Sequence, residues 1–239
     1  MEALDENTLA TWRTLQEQIA SQVITTDSFV FENIKLVGGL DISFSPKDPN
    51  IGCAYITVIK MDTLEPVYED YAVIHLTVPY VSGFLAFREF GFYQTLMNRI
   101  PSEFKPDVIM VDGNGILHHC GAGSATHLGV MFDVPTIGVA KTLLSLDGMY
   151  EKKIKETIKK GKLTHYPLIG SSGKTYGIAL VGPGCINPVF VSLGHKISLE
   201  TAVKVVEKTM KHKNPEPIRI SDIKSKLHFE DKDKDNDNN

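Results

Sequence analysis

No apolar run in this chain of 239 residues is long enough to cross a bilayer as a helix, so no membrane partner is expected. The opening residues, Met1-Glu2-Ala3-Leu4-Asp5-Glu6, lack the basic and apolar regions of a secretory signal. Cysteine is scarce. Cys53, Cys120 and Cys185 are far apart and odd in number, which excludes a disulfide framework and fits a reducing compartment. Cys120 follows His118 and His119, but that spacing matches no zinc pattern, and an ordinary free thiol is the reading. Net positive charge is also missing: the formal charge is −4, which does not announce a nucleic-acid binder. No internal repeat is present.

What is present fits a globular α/β chain. Hydrophobic residues make up 42% and charged residues 23%, enough apolar material at this length for a large core. Charge is unevenly spread. The stretch 230–239 carries five acids and two lysines, reads as a disordered, solvated tail, and leaves the body near −1. The stretch 151–162 holds six lysines and two glutamates. It reads as the solvated face of a helix, or as a basic surface able to touch phosphates.

Periodicity orders the elements. Leu9, Trp12, Leu15, Ile19 and Val23 recur at helix spacing over 7–23. Three runs rich in β-branched residues follow, 34–44, 51–60 and 71–78, with short connections that predict an antiparallel meander. A loop at 78–83 leads to a helix over 84–100, which Pro101 ends. The apolar runs 108–111 and 135–141 read as buried strands, with a short helix over 122–131 between them. Strands over 176–181 and 189–193, a helix capped by Ser198 that runs to about His212, and a short helix over 218–227 complete the order. The predicted class is α/β: a mixed sheet of a meander plus parallel strands, flanked by helices.

Three acids stand where an acid needs a reason. Asp41 lies inside the first strand, Glu89 inside the helix after the meander, and Asp112 at the end of the fourth strand, followed by Gly113-Asn114-Gly115. Each has a plain alternative: Asp41 as a solvent-facing strand residue, Glu89 as a surface carboxylate, and Asp112 as the start of a turn. A fourth strand parallel to the first would bring Asp112 beside Asp41. Carboxylates held that close repel unless a divalent cation neutralises them, and oxygen ligands favour magnesium or manganese.

The stretches Val37-Gly38-Gly39-Leu40-Asp41, Pro79-Tyr80, Phe87-Arg88-Glu89, Val111-Asp112-Gly113-Asn114-Gly115 with Leu117-His118, and Ile137-Gly138-Val139-Ala140-Lys141 resemble the endonuclease V family. So do Ser192-Leu193-Gly194-His195-Lys196 and Pro215-Glu216-Pro217-Ile218-Arg219, and the resemblance extends from Leu36 to Asp222. It implies a ribonuclease-H-like fold over one catalytic domain, 1–229, with the tail at 230–239 apart. It also implies a magnesium-dependent endonuclease, manganese substituting, that cuts one phosphodiester beyond the 3′ side of inosine.

Carried onto this chain, the resemblance makes Asp41, Glu89 and Asp112 metal ligands. Lys141 would contact the scissile phosphate, and Asp222 would be a fourth carboxylate, with a helix-capping role or His195 as rivals. Tyr80 after Pro79 would be a wedge at the vacated base position; the family wedge is often Pro-Tyr-Ile-Pro, and here it is Pro79-Tyr80-Val81-Ser82. Gly113, Asn114 and Gly115 would read the flipped base, and His118 would touch a phosphate. Leu85 would line the pocket or simply pack in the core. His119 and His127 read as packing or solvent residues. Residues 113–119 resemble the eukaryotic branch, which implies inosine in single-stranded RNA, with inosine-containing DNA as the alternative substrate and a cytoplasmic, nuclear or nucleolar setting. An inosine-binding module without activity is disfavoured by the intact acids and Lys141. A hybrid-duplex ribonuclease is disfavoured by the wedge and the glycine pocket.

Overall fold

The computed structural model of the chain describes residues 5–76 and 78–236. Strands β1 (Leu36–Phe44), β2 (Ile51–Lys60) and β3 (Pro66–His75) form the expected antiparallel meander. Strand β4 (Val108–Val111) lies parallel to β1 on its other side, and β5 (Thr136–Ala140) lies parallel to β4. Strands β6 (His165–Ile169), β7 (Thr175–Leu180) and β8 (Val189–His195) complete one eight-stranded sheet in the order β3-β2-β1-β4-β5-β8-β7-β6. All four residues of β4 are buried, as an unbroken apolar run at the centre of a sheet requires.

Among the described residues six α-helices cover the sheet: α1 (Glu6–Ser21), α2 (Leu85–Arg99), α3 (Ser124–Phe132), α4 (Glu151–Gly161), α5 (Leu199–Lys208) and α6 (Glu216–Asn236). On one face Leu40, Ile109 and Val111 meet Phe92, Tyr93 and Leu96 of α2 and Leu128 of α3. On the other, Met110, Ile137 and Val191 meet Val205 and Val206 of α5 and Ile218 of α6. Each fully buried side chain of this size contributes about 1.5–3 kcal/mol, so the two layers hold the sheet between them.

Several boundaries differ from expectation, each for a local reason. Strand β3 begins at Pro66 and ends at His75, earlier than 71–78; it is the sheet edge, where a first-residue proline loses no ladder bond. Thr77, inside the expected strand, lies outside the described residues. Strand β6 was not expected, because Pro167 in a five-residue run argues against a strand; β6 is the opposite edge, where proline is tolerated. Helix α5 stops at Lys208, and Met210 bridges to Pro215 instead. Helix α6 starts at Glu216, because Pro217 falls in its first turn, where no hydrogen bond is lost. It continues to Asn236, past the start of the acidic tail at Glu230. Residues 237–239 of that tail lie outside the described residues.

Helix α6 rests on β1 at Gly39. A Cβ there would stand 2.2 Å from the carbonyl carbon of Pro217, so only glycine lets the helix start this close to the strand. Ser221 Oγ then donates to the Gly39 carbonyl at 2.9 Å and lies 2.9 Å from Thr57 Oγ1. On the opposite face, His127 of α3 is packed against Phe87 and Phe90 at ring distances of 5.2 and 4.9 Å. Its Nδ1 is buried without a partner, and burial pulls its pKa down to about 4.

Two outcomes are expected. Gly39→Ala should cost about 1–3 kcal/mol in urea unfolding. Gly91→Ala, inside α2 with open space around the added carbon, should be neutral or stabilising by up to about 1 kcal/mol. Equal effects would contradict the close approach. His127 must stay neutral when folded, so its contribution is complete above its unfolded pKa of about 6.5. It is lost as pH falls toward the folded value of about 4, by up to about 3 kcal/mol. His127→Leu should flatten the stability–pH curve across that window, and an unchanged slope would contradict the assignment.

Candidate active site

The parallel β1–β4 ladder carries past the end of β4: the Asp112 amide donates to the Leu40 carbonyl at 2.9 Å. That single bond sets Asp112 beside Asp41, as the strand order predicts. Helix α6 brings Asp222 to the same place. Ligand oxygens of Asp41, Asp112 and Asp222 all lie within 4.8 Å of one another. Glu89 is not one of those three, although the resemblance groups it with Asp41 and Asp112. Asp222 sits inside α6, six residues beyond Glu216, so it is not a helix cap.

The cluster is electrostatically strained. Burial first, and then the Asp112 carboxylate, hold Asp41 well above the ordinary carboxylate range. Lys141, the first residue after β5, partly offsets the repulsion, donating to Asp112 Oδ2 and to Asp222 Oδ1 at 2.6 Å each. Burial lowers the Lys141 ammonium, but Asp112 and Asp41 outweigh it and raise it on balance. Burial likewise raises Asp222, and hydrogen bonds from Lys141 and Lys226 outweigh it, leaving the carboxyl below its usual value. Lys226 reaches both Asp222 oxygens, at 2.9 and 2.8 Å.

The donor set suits a hard divalent cation. Three carboxylates converge where one, Asp41, is nearly excluded from water and pushed toward its neutral form. An ion coordinated there would restore its charge, and oxygen-only ligands favour magnesium or manganese over zinc. Glu89 is buried in α2, which corrects the surface reading. Tyr93 and Ser124 hydroxyls donate to its Oε2 at 3.3 and 3.2 Å. Burial raises it to about 8, against those two hydrogen bonds and with Asp112 adding to the rise.

The glycine stretch adjoins the acids. Gly115 is pressed against β8, where a Cβ would stand 2.0 Å from the Leu193 carbonyl oxygen, and its amide donates to Ser192 Oγ at 2.9 Å. The Asn114 side-chain oxygen is buried and has no hydrogen-bond partner among the described residues. His118 is buried, contacts the Gly83 backbone, and is pulled down to about 4 by burial and then by His119. That contact brings residues 113–118 to the loop carrying Pro79 and Tyr80. Gln16 of α1 also joins the two loops, donating to Gly83 O at 2.7 Å and Ala122 O at 3.5 Å. Tyr80 is 65% exposed with no packing role evident, while Pro79 and Leu85 are half-buried. His195 is set apart. It accepts from the Ile24 amide at 3.3 Å and lies 3.5 Å from Asp133, so it is a structural residue and not the fourth group of the cluster.

Sequence reasoning missed several supporting residues. Ser225 donates toward Asp41 Oδ2 at 3.5 Å and lies 2.7 Å from Ser43 Oγ; Lys226 grips Asp222. Both sit three and four residues after Asp222, so helix spacing around that acid was the available signal. Ser124 and Tyr93 had a weaker signal: Tyr93 is one turn from Glu89, and Ser124 comes from a separate helix with none.

Comparison with known proteins gives the family. A sequence profile described as Endonuclease V matches residues 17–223. Human Endonuclease V is 39% identical, over 94% of this chain and 84% of its own length. The crystal structure of the catalytic domain of human Endonuclease V matches with a TM-score of 0.92 at 37% identity, over 96% of this chain and 98% of that one. Ciona intestinalis Endonuclease V, solved with a 24mer DNA containing an inosine followed by a ribo-adenosine, matches with a TM-score of 0.89 at 32% identity, over 95% and 99%.

If the three aspartates oppose one another in the metal-free protein, Asp41→Asn should stabilise it by about 1–2 kcal/mol in EDTA. The same change should abolish the rise in melting temperature that magnesium gives the wild type. A destabilised variant that still responds to magnesium would contradict the geometry.

Proposed function

Because the chain belongs to the Endonuclease V family and has its ribonuclease-H-like fold, we propose that it cuts inosine-containing single-stranded RNA at the second phosphodiester 3′ to the inosine. Membership makes it a nuclease, a phosphodiester hydrolase. The observation that carries the reading is the convergence of Asp41, Asp112 and Asp222 on Lys141, next to the glycine stretch.

In this reading Asp41, Asp112 and Asp222 hold magnesium, with manganese able to replace it. The ion supplies positive charge for the phosphoryl oxygens and for activating water. Lys141 adds a second charge at the phosphate, positioned by Asp112 and Asp222 before substrate arrives. Glu89, kept near Asp112 by Ser124 and Tyr93, supplies a further acid whose proton leaves when positive charge accumulates beside it. Tyr80 occupies the space left by the flipped inosine, at low cost when the strand is already single. Gly113, Gly115 and the unpartnered Asn114 oxygen meet the hypoxanthine edge, and His118, neutral at working pH, lies between that pocket and the wedge loop. Leu85 closes the pocket wall from α2.

A second reading, the same cut in deaminated DNA, is favoured by the DNA strand bound to the Ciona protein. In that strand, however, a ribonucleotide follows the inosine, where a 2′-hydroxyl would adjoin the bond cut. This supports RNA. No helix among the described residues is long and apolar enough to cross a membrane. The cytoplasm, nucleus or nucleolus is the proposed setting.

The test uses end-labelled single-stranded RNA and DNA, each with one inosine or adenosine, in magnesium or EDTA. Cutting one bond beyond the 3′ neighbour of inosine, faster in RNA and absent in EDTA, is expected. Failure to cut either inosine strand would overturn the activity, and cutting of DNA alone would overturn the substrate. Lys141→Ala should lower single-turnover cleavage by about 10²–10³. A loss confined to KM would contradict its role at the phosphate.

A further inference from the structure

Helix α4 has a face that the reaction leaves unused. Ile154 and Ile158 pack inward with Leu143, Met149 and Phe190. Outward stand Lys152, Lys153, Lys159, Lys160 and Lys162, all exposed, and no ion pair engages any of them among the described residues. Lys155 is the exception, paired with Glu151. Just before the helix, Tyr150 is 63% exposed. A groove of about 470 Å³ runs along α4, lined by Lys152, Lys155 and Lys159 together with Ile186 and Asn187; Glu151 and Glu156 are the opposing charges within it.

The helix is tied to the cutting site. Glu151 Oε2 accepts from the Leu143 amide at 2.8 Å, two residues after Lys141. Leu117, from the loop that follows the glycine stretch, packs into the same cluster as Ile154 and Ile158. The N-terminal end of the lysine face is therefore tethered to the segment that carries Lys141. Eleven residues of helix span about 16 Å, room for up to about five phosphates of one strand.

We propose that Tyr150 and the lysine face of α4 form a subsite for the single strand flanking the cut segment, Tyr150 stacking on a base and the lysines tracking the backbone. This rests on the nuclease reading above. An exposed aromatic with unpaired lysines is what sequence-tolerant single-strand binding uses, and every base offers a face to stack on. Lysines alone would serve an acidic protein equally well. The aromatic at the end nearest the site, and the groove beside it, favour a nucleic-acid strand. The subsite also accounts for how a chain of net charge −4 holds a polyanion: the positive charge is gathered on one ridge.

The test compares binding by the full chain, in EDTA, of an inosine strand that ends just past the cut with strands extended on either side. Wild type should gain affinity from extension on one side. Tyr150→Ala should remove about fivefold or more of that gain, and Tyr150→Trp should keep it. Lys152→Glu, Lys159→Glu and Lys160→Glu together should lower the salt dependence of binding the extended strand by about 2 on the log–log plot, while the three arginine replacements should not. If the gain survives both the alanine and the glutamate variants, the subsite is overturned and the ridge is left to an acidic protein. The same strands with adenosine in place of inosine separate the two proposals. A gain lost in the variants with either base supports the ridge even if no inosine preference exists.

Discussion

The repulsion among three carboxylates is the constraint on which the rest depends. Asp41, Asp112 and Asp222 come from a strand interior, a strand end and a helix, and the fold spends binding energy to hold them together. Burial and mutual charge push Asp41 toward its neutral form, and Lys141 answers only part of that charge. Two pieces of backbone geometry make the gathering unavoidable. The parallel β1–β4 pair fixes Asp112 against Leu40, and the bare Cα of Gly39 lets α6 settle where Asp222 reaches the other two. A site built this way is poised for positive charge, which is what a phosphodiester hydrolase requires at the moment of cutting.

The proposed recognition element sits directly on that constraint. Asp112 ends β4, and Gly113-Asn114-Gly115 follow it without a gap, so the strand that positions the acid also positions the backbone proposed to read the base. His118 and Gln16 fasten this loop to the one that carries Tyr80. Displacing the base-reading backbone therefore moves Asp112 as well. In the proposed function, cutting is coupled to the correct base through this one short stretch of chain rather than through a distant switch.

Much of this was legible in the sequence. The β-branched runs with short connections pointed to the meander, and a fourth strand parallel to the first placed Asp41 beside Asp112. What escaped was set by contacts between distant segments. Pro167 concealed β6 because nothing local says that a strand lies at an edge. Pro217 hid only the first two residues of α6; the acidic composition from Glu230 onward read as a solvated tail, and so the C-terminal length of α6 was underestimated. The burial of Glu89 against Ser124 and Tyr93, and the approach of Asp222 to Asp41 and Asp112, come from segments far apart in the chain. The lysine run was read as a solvated helix face; its relation to the site needed the Glu151–Leu143 contact, which spacing alone does not reveal.

In the proposed function Asp222, from the last helix, completes the cation site with Asp41 and Asp112. Anomalous scattering from crystals soaked in manganese tests it most directly. A peak bounded by oxygens of Asp41, Asp112 and Asp222, at about 2.0–2.2 Å from the ligands, is expected. A manganese ion held by Asp41, Glu89 and Asp112 with Asp222 turned away, or no ion at this cluster at all, would contradict it.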